Sequence, residues 1–105
     1  MHKVFIASGL LNNVNANALK NDVASYVAEG HKIVRVDFQG VTFINSSGIG
    51  ALVATLKIVK AQGGEIFLYS LNPQVRMIFE LTKMDQVFKI SDDRAELEEL
   101  LATSA

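Results

Sequence analysis

Val36-Asp37-Phe38-Gln39-Gly40-Val41-Thr42-Phe43-Ile44-Asn45-Ser46-Ser47-Gly48-Ile49-Gly50-Ala51-Leu52 is the stretch on which the reading of this chain turns. Its beginning completes a strand pattern over Lys32 to Phe38. Val34, Val36 and Phe38 fall on one face, and Ile33, Arg35 and Asp37 on the other, since successive strand side chains point to opposite sides. Arg35 and Asp37 read as a polar pair at the surface of that strand. Gly40 to Ser46 is expected to be a turn-containing connection with Val41, Phe43 and Ile44 packed inward. From about Ser47 to Gln62 the period changes to that of an amphipathic helix, with Ile49, Leu52, Val53, Leu56 and Val59 on its apolar face and Gly63-Gly64 ending it.

The same alternation continues in both directions. Upstream, His2 to Ala7 reads as a strand that ends at Gly9 or extends through Leu10-Leu11. Asn12-Asn13-Val14-Asn15 is rich in side chains that bond nearby backbone, so it caps a helix carrying Leu19, Val23, Tyr26 and Val27 and stopping at Gly30. Downstream, Ile66-Phe67-Leu68-Tyr69 is apolar on both faces, as in a strand covered on both sides. Asn72-Pro73 opens a third helix through Val75, Ile78 and Phe79. Val87 to Ile90 reads as a last strand, and Asp93 to Glu96 has capping-box spacing ahead of a terminal helix with Leu97, Leu100 and Leu101. Strands alternating with helices over short connections imply an α/β fold with a largely parallel sheet, because parallel neighbours need crossovers. The 105 residues suit one domain, 1–105, with no linker or repeat.

Composition narrows the function. Ten Lys and Arg against eleven Asp and Glu leave a net charge of −1, which offers a nucleic acid no cationic surplus. The absence of cysteine excludes disulfide scaffolds, thiolate zinc sites and thiol catalysis. The longest apolar run, Ile49 to Leu56, is far short of the roughly 20 residues a bilayer requires, and the start lacks a secretory pattern. The expectation is a cytoplasmic module with no direct nucleic-acid or membrane contact. A catalytic set is also missing. His2 and His31 are the two histidines and have no metal-ligand spacing; Gly48-Ile49-Gly50 lacks the rest of a phosphate or dinucleotide loop; the serine pair lacks a nucleophile elbow. No enzyme, cofactor or metal is expected. Lys57 and Lys60 read as solvated residues on the outer face of the motif helix, and Met77 and Met84 as packing residues.

What remains is Asn45-Ser46-Ser47, two hydroxyls and an amide where an apolar segment becomes a helix. Capping alone accounts for such residues. A second reading stands beside it. A phosphate at this point would bring about −1.5 to −2 charges to the first turn of a helix, where backbone N–H groups and the dipole tolerate an anion. A partner docked over the same point would not tolerate it, because an unpaired charge buried at an interface costs several kcal/mol.

The motif from Val36 to Leu52, together with Gly63-Gly64-Glu65-Ile66, Asn72-Pro73-Gln74-Val75, Phe79-Glu80-Leu81-Thr82 and Gly9-Leu10-Leu11-Asn12, resembles the STAS domain as found in bacterial anti-sigma factor antagonists. The resemblance implies a mixed, mostly parallel sheet of four to five strands flanked by about four helices. It also implies a partner switch: the unmodified chain binds an anti-sigma factor that is often a serine kinase, the kinase phosphorylates the serine opening the motif helix, and a phosphatase resets the module. ATP and magnesium belong to the kinase. The acceptor falls on Ser46, with Ser47 the second choice, and the docking surface on Asn12, Asn13, Asn45, Ser46, Ser47, Gly48 and Ile49. Asn12 and Asn45 stand where the family commonly has Asp, and the short amino-terminal region implies that an edge strand of many relatives is reduced. The alternative is a STAS scaffold that is not phosphorylated, or a sensor of a small nucleotide-type ligand.

Overall fold

The computed structural model describes residues 4–91. Strand β1 (Val4–Leu11) leads to helix α1 (Asn13–Ala28), β2 (Ile33–Ile44), α2 (Ser46–Ala61), β3 (Glu65–Tyr69) and α3 (Pro73–Leu81). A 3-10 turn (Met84–Gln86) precedes β4 (Lys89–Ser91). The strands lie in the order β1-β2-β3-β4, and every neighbouring pair is parallel. The described sheet is therefore wholly parallel rather than mixed, with four strands. Three α-helices accompany it, and the helix expected after Asp93 lies outside the described residues.

Sequential strand order with parallel pairing fixes where the helices go. Crossovers of the same hand between successive neighbours return every helix to the same face. The core bears this out: Leu19, Val23 and Val27 of α1, Leu52, Leu56 and Val59 of α2, and Val75 and Phe79 of α3 form one cluster with Val34, Val36 and Phe38 of β2. Phe79 meets Phe38 and Phe88 edge-on, at ring-centroid distances of 6.2 and 5.9 Å. The opposite face holds a smaller cluster of Phe67 and Tyr69 with Val4 and Ile33. Arg35 shares this second face and is only 4% exposed, so it is a buried residue and not half of a surface pair. Arg35 stands between Ile33 and Asp37 in a strand pattern that looks amphipathic, and nothing in the sequence signals that this face is covered.

The largest departure from expectation lies at Gly40 to Ser46. This segment is not a connection: β2 runs on to Ile44. Pairing with β1 supplies the reason. Two steps from Ile6 to Ser8 face three steps from Asp37 to Gly40, and the single step from Gly9 to Leu10 faces two from Val41 to Phe43. Each irregularity inserts one extra residue into β2, as a β-bulge does. Inward positions in this part of β2 therefore fall at Phe38, Val41 and Ile44 instead of at every second residue. Val41 and Ile44 are buried as expected. Phe43 is turned outward and stands 47% exposed.

Because β3 pairs with β2 only as far as Asp37, the last part of β2 projects past it with β1 as its strand neighbour. Asn72 steadies that projection. Its Oδ1 accepts from the Val75 N–H at 2.8 Å, capping α3, while its Nδ2 donates to the Val41 carbonyl at 2.9 Å.

Candidate functional site at the start of the second helix

Helix α2 begins one residue earlier than its pattern suggests, at Ser46, with Asn45 as its cap. Asn45 has extended backbone, and its Oδ1 accepts from the Gly48 N–H at 2.9 Å. Its carbonyl accepts from the Ile49 N–H at 3.0 Å, and its own N–H donates to the Leu11 carbonyl at 3.2 Å. Asn45 thus joins the end of β1 to the first turn of α2. The amide does this as well as a carboxylate would, because only one acceptor oxygen and the backbone are used.

Ser46 and Ser47 occupy the first two helical positions, and both are exposed. A hydroxyl in the first turn of a helix is close to backbone N–H groups that have no partner one turn back, and to the positive end of the helix dipole. An anion placed on Ser46 is therefore favoured by its own helix and displaces nothing in the core. Gly48 is buried and Ile49 half-buried against the core cluster. A Cβ on Gly48 would come within 2.2 Å of the Leu11 carbonyl oxygen, so this glycine is what lets α2 approach β1.

The turn between β1 and α1 sits at the same end of the sheet. Asn12 caps α1, its Oδ1 accepting from the N–H groups of Val14 and Asn15 at 3.0 Å each. The Asn15 side chain donates back to the Leu10 carbonyl at 2.6 Å. Asn13, exposed, offers its carbonyl to the Asn17 side chain. Asn12, Asn45 and Asn72 thus cap the three described α-helices, none of which has an acidic residue in its first turn.

Among the described residues, the sequence segments around the serine pair carry no formal charge. Val4–Leu19, Phe38–Leu56 and Ile66–Val75 contain no Asp, Glu, Lys or Arg. Asp37 is the last charged residue before the motif serines, and its carboxylate is used locally, accepting from the Gln39 N–H at 2.8 Å. His31 is at the other end of β2, in the turn before it, where its ring stacks on Tyr26 at 4.1 Å. Lys60 pairs with Glu65 at 2.8 Å, also away from the motif serines.

Sequence reasoning overlooked the outward apolar residues beside the serines. Phe43 and Leu10 are register partners on adjacent strands; Leu10 is 43% exposed, and Val14, in the first turn of α1, is 70% exposed. Leu10 is outward by the regular alternation of β1, in which Phe5, Ala7 and Leu11 face the core.

The family model of the STAS domain matches residues 2–97. The anti-sigma-B factor antagonist of Bacillus subtilis is 27% identical over 84 residues, covering 80% of this chain and 76% of that protein. The crystal structure of TM1081 from Thermotoga maritima superposes with a TM-score of 0.82 at 29% identity, covering 91% of this chain and 83% of the other. SpoIIAA of Bacillus shares the fold, with TM-scores of 0.72 for its unphosphorylated and 0.68 for its phosphorylated form, at 17% and 16% identity. The two comparisons cover 100% and 92% of this chain, and 96% and 88% of SpoIIAA. No helix among the described residues is long and apolar enough to cross a membrane. Because the STAS model spans nearly the whole sequence, one assignment follows: the chain belongs to the STAS domain family.

Proposed function

We propose that this chain is an anti-sigma factor antagonist: a cytoplasmic, non-enzymatic regulator that binds an anti-sigma factor through the end of the sheet where α2 begins. Phosphorylation of Ser46 by that partner, acting as a serine kinase, ends the binding, and a phosphatase restores it. The observation that carries this reading is the exposed Ser46 at the first position of α2, directly after the Asn45 cap, in a segment of sequence without charged residues. The antagonist named in Bacillus subtilis supports the partner class, and the two forms of SpoIIAA support phosphorylation as a switch on this fold.

In the kinase-bound state the Ser46 Oγ attacks the γ-phosphorus of ATP and the bond to the β,γ-bridging oxygen breaks. ADP leaves, and the hydroxyl proton passes to a base of the kinase. ATP and its magnesium are the kinase's; this chain supplies the acceptor and its position. The added charge would have to be buried without a counter-ion when the partner docks, and this costs several kcal/mol. Asn12, Asn13, Asn45 and Ser47 complete the contact region around Ser46, with Gly48 and Ile49 setting the pitch of the helix beneath it. No contact with nucleic acid or membrane is part of this role.

The test is co-purification from the native cell under phosphatase inhibition, with mass spectrometry of the partner and of the serine pair. One phosphate on Ser46, and loss of the partner from Ser46→Asp, is the expected result. Unchanged partner binding by both the phosphorylated protein and Ser46→Asp overturns the switch. A second reading, a STAS scaffold that is not phosphorylated or a nucleotide sensor, draws on Asn45, which removes the acid that the family commonly places beside its serine. Partner binding indifferent to ATP, or heat on titration with nucleotides, would favour it.

A further inference from the structure

We infer that the anti-sigma factor is recognised through an uncharged, apolar surface of its own, seated on the Leu10–Phe43 pair, and that charge attraction plays no part in bringing the two proteins together. This inference rests on the function proposed above and adds to it the chemistry of the partner's contact face.

Phe43 falls on the outward side of β2, the side of Ile33, Arg35 and Asp37, at a level that β3 no longer reaches, and stands beside Leu10, its register partner on β1. Two large apolar side chains exposed side by side form a patch rather than the scattered exposure that any surface shows. Val14 adds a third exposed apolar residue just beyond the end of β1. Phe43 is three residues from Ser46, so their Cα atoms are at most about 11 Å apart even along a fully extended chain. A standard protein interface covers about 800 Å² on each partner, equivalent to a disc of roughly 16 Å radius. A partner centred on Ser46 therefore also covers Phe43.

The character of the covering surface follows from what it meets. Aromatic side chains are favoured anchors at interfaces, and they lose little rotamer freedom on binding. The rest of this end offers amides and hydroxyls: Asn12, Asn45 and Ser46 stand in segments that contain no charged side chain. A Lys, Arg, Asp or Glu of the partner buried here would find no counter-charge, so the complementary face is apolar with a neutral polar rim. Without opposite fields to steer the encounter, association falls in the range of about 10⁵–10⁶ M⁻¹s⁻¹ and responds weakly to salt.

The test uses the full chain and the purified serine-kinase anti-sigma factor of the same organism, without ATP, in surface-binding kinetics at 50 and 500 mM salt. The expected result is an association rate that changes less than about threefold with salt, and a dissociation constant raised at least tenfold by Phe43→Ser or Leu10→Ser. Phe43→Leu should retain most of the affinity. Circular dichroism and melting of each variant confirm that the fold is kept. A steep salt dependence, or wild-type affinity in both serine variants, overturns the inference; if Ser46→Asp still abolishes binding in that case, the proposed function survives it. If neither Ser46→Asp nor Phe43→Ser weakens binding, or the wild-type chain binds no such kinase, both fall. A concentration-dependent dimer that Phe43→Ser dissolves would assign the patch to a second copy of the chain and overturn the inference as well.

Discussion

The carbonyl oxygen of Leu11 lies where a Cβ on Gly48 would come to 2.2 Å of it, closer than any side chain permits. Helix α2 is thus seated directly on the end of β1, and the Asn45 N–H bond to the same carbonyl locks the contact. The serine beside this junction owes its position to a missing methyl group two residues on. Gly48→Ala must move the first turn away from β1 or strain it, and overpacking of this kind costs about 1–3 kcal/mol. A fall in melting temperature of several degrees, on the order of 4–8 °C per kcal/mol for a domain of this size, is the expected outcome. Gly50→Ala is the control: nothing stands within 4 Å of a Cβ there, and a helical alanine should be neutral or stabilising. Thermal unfolding of the two variants side by side checks both.

Asn72 is predicted to matter more than an ordinary cap. Asn72→Ser retains a capping oxygen for the Val75 N–H but loses the bond from Nδ2 to the Val41 carbonyl. That bond ties α3 to the projecting part of β2, so its loss should cost about 1 kcal/mol in stability. It should also speed amide exchange in the Val41–Ile44 stretch more than in β3. Urea denaturation gives the first quantity and native-state hydrogen exchange the second. Equal protection in both segments would show that the projection is held by β1 alone.

Much of this arrangement could be read from the residues. The Asn-x-x caps before apolar periodicity point to the three described α-helices, and runs such as Ile66 to Tyr69 to buried parallel strands, because those patterns report local and nearest-neighbour physics. The exposed Ser46 was equally legible, since it follows from the helix start. Phe43 was not. Gly40 to Ser46 reads as a connection, so the strand alternation that puts Phe43 on the same outward side as Ile33, Arg35 and Asp37 is not extended to it; the two extra residues of β2 cancel in that alternation and bring only Val41 inward between them. Arg35 was missed for a related reason. A charged residue on a strand's second face reads as solvated unless something outside the strand covers it, and no local pattern announces that cover.

Asn45→Asp should keep the fold and slightly strengthen it. The Oδ1 acceptor for the Gly48 N–H is preserved, and a carboxylate gains from the dipole of α2, by about 0.3–1 kcal/mol in a first turn that has no other acid. The sign with pH follows from the charged form being the favoured one. The gain is present at pH 7 and disappears as the pH falls through the acid range, where the carboxyl is protonated. Melting curves of the variant and the wild type at pH 7 and pH 3 should therefore differ at the first pH and converge at the second. A difference that persists at pH 3 would point to a change in packing instead.

Ser46→Asp separates folding from binding. The side chain is exposed at the first position of α2, where an acid is welcome and touches no core residue, so stability should stay within about 0.5 kcal/mol of the wild type or rise slightly. Binding is expected to fall at least tenfold, because the same charge has no counter-ion in the segments around it. The control is Gly50, four residues on along the same face of the helix. Gly50→Asp places an equal charge one turn further along α2, on exposed surface with nothing within 4 Å of its Cβ. It should weaken binding less than Ser46→Asp if the contact is centred on the helix start. Equilibrium unfolding and partner titration of the two variants together decide the matter: equal losses of affinity would mean that net charge on the helix, and not charge at Ser46, governs the interaction.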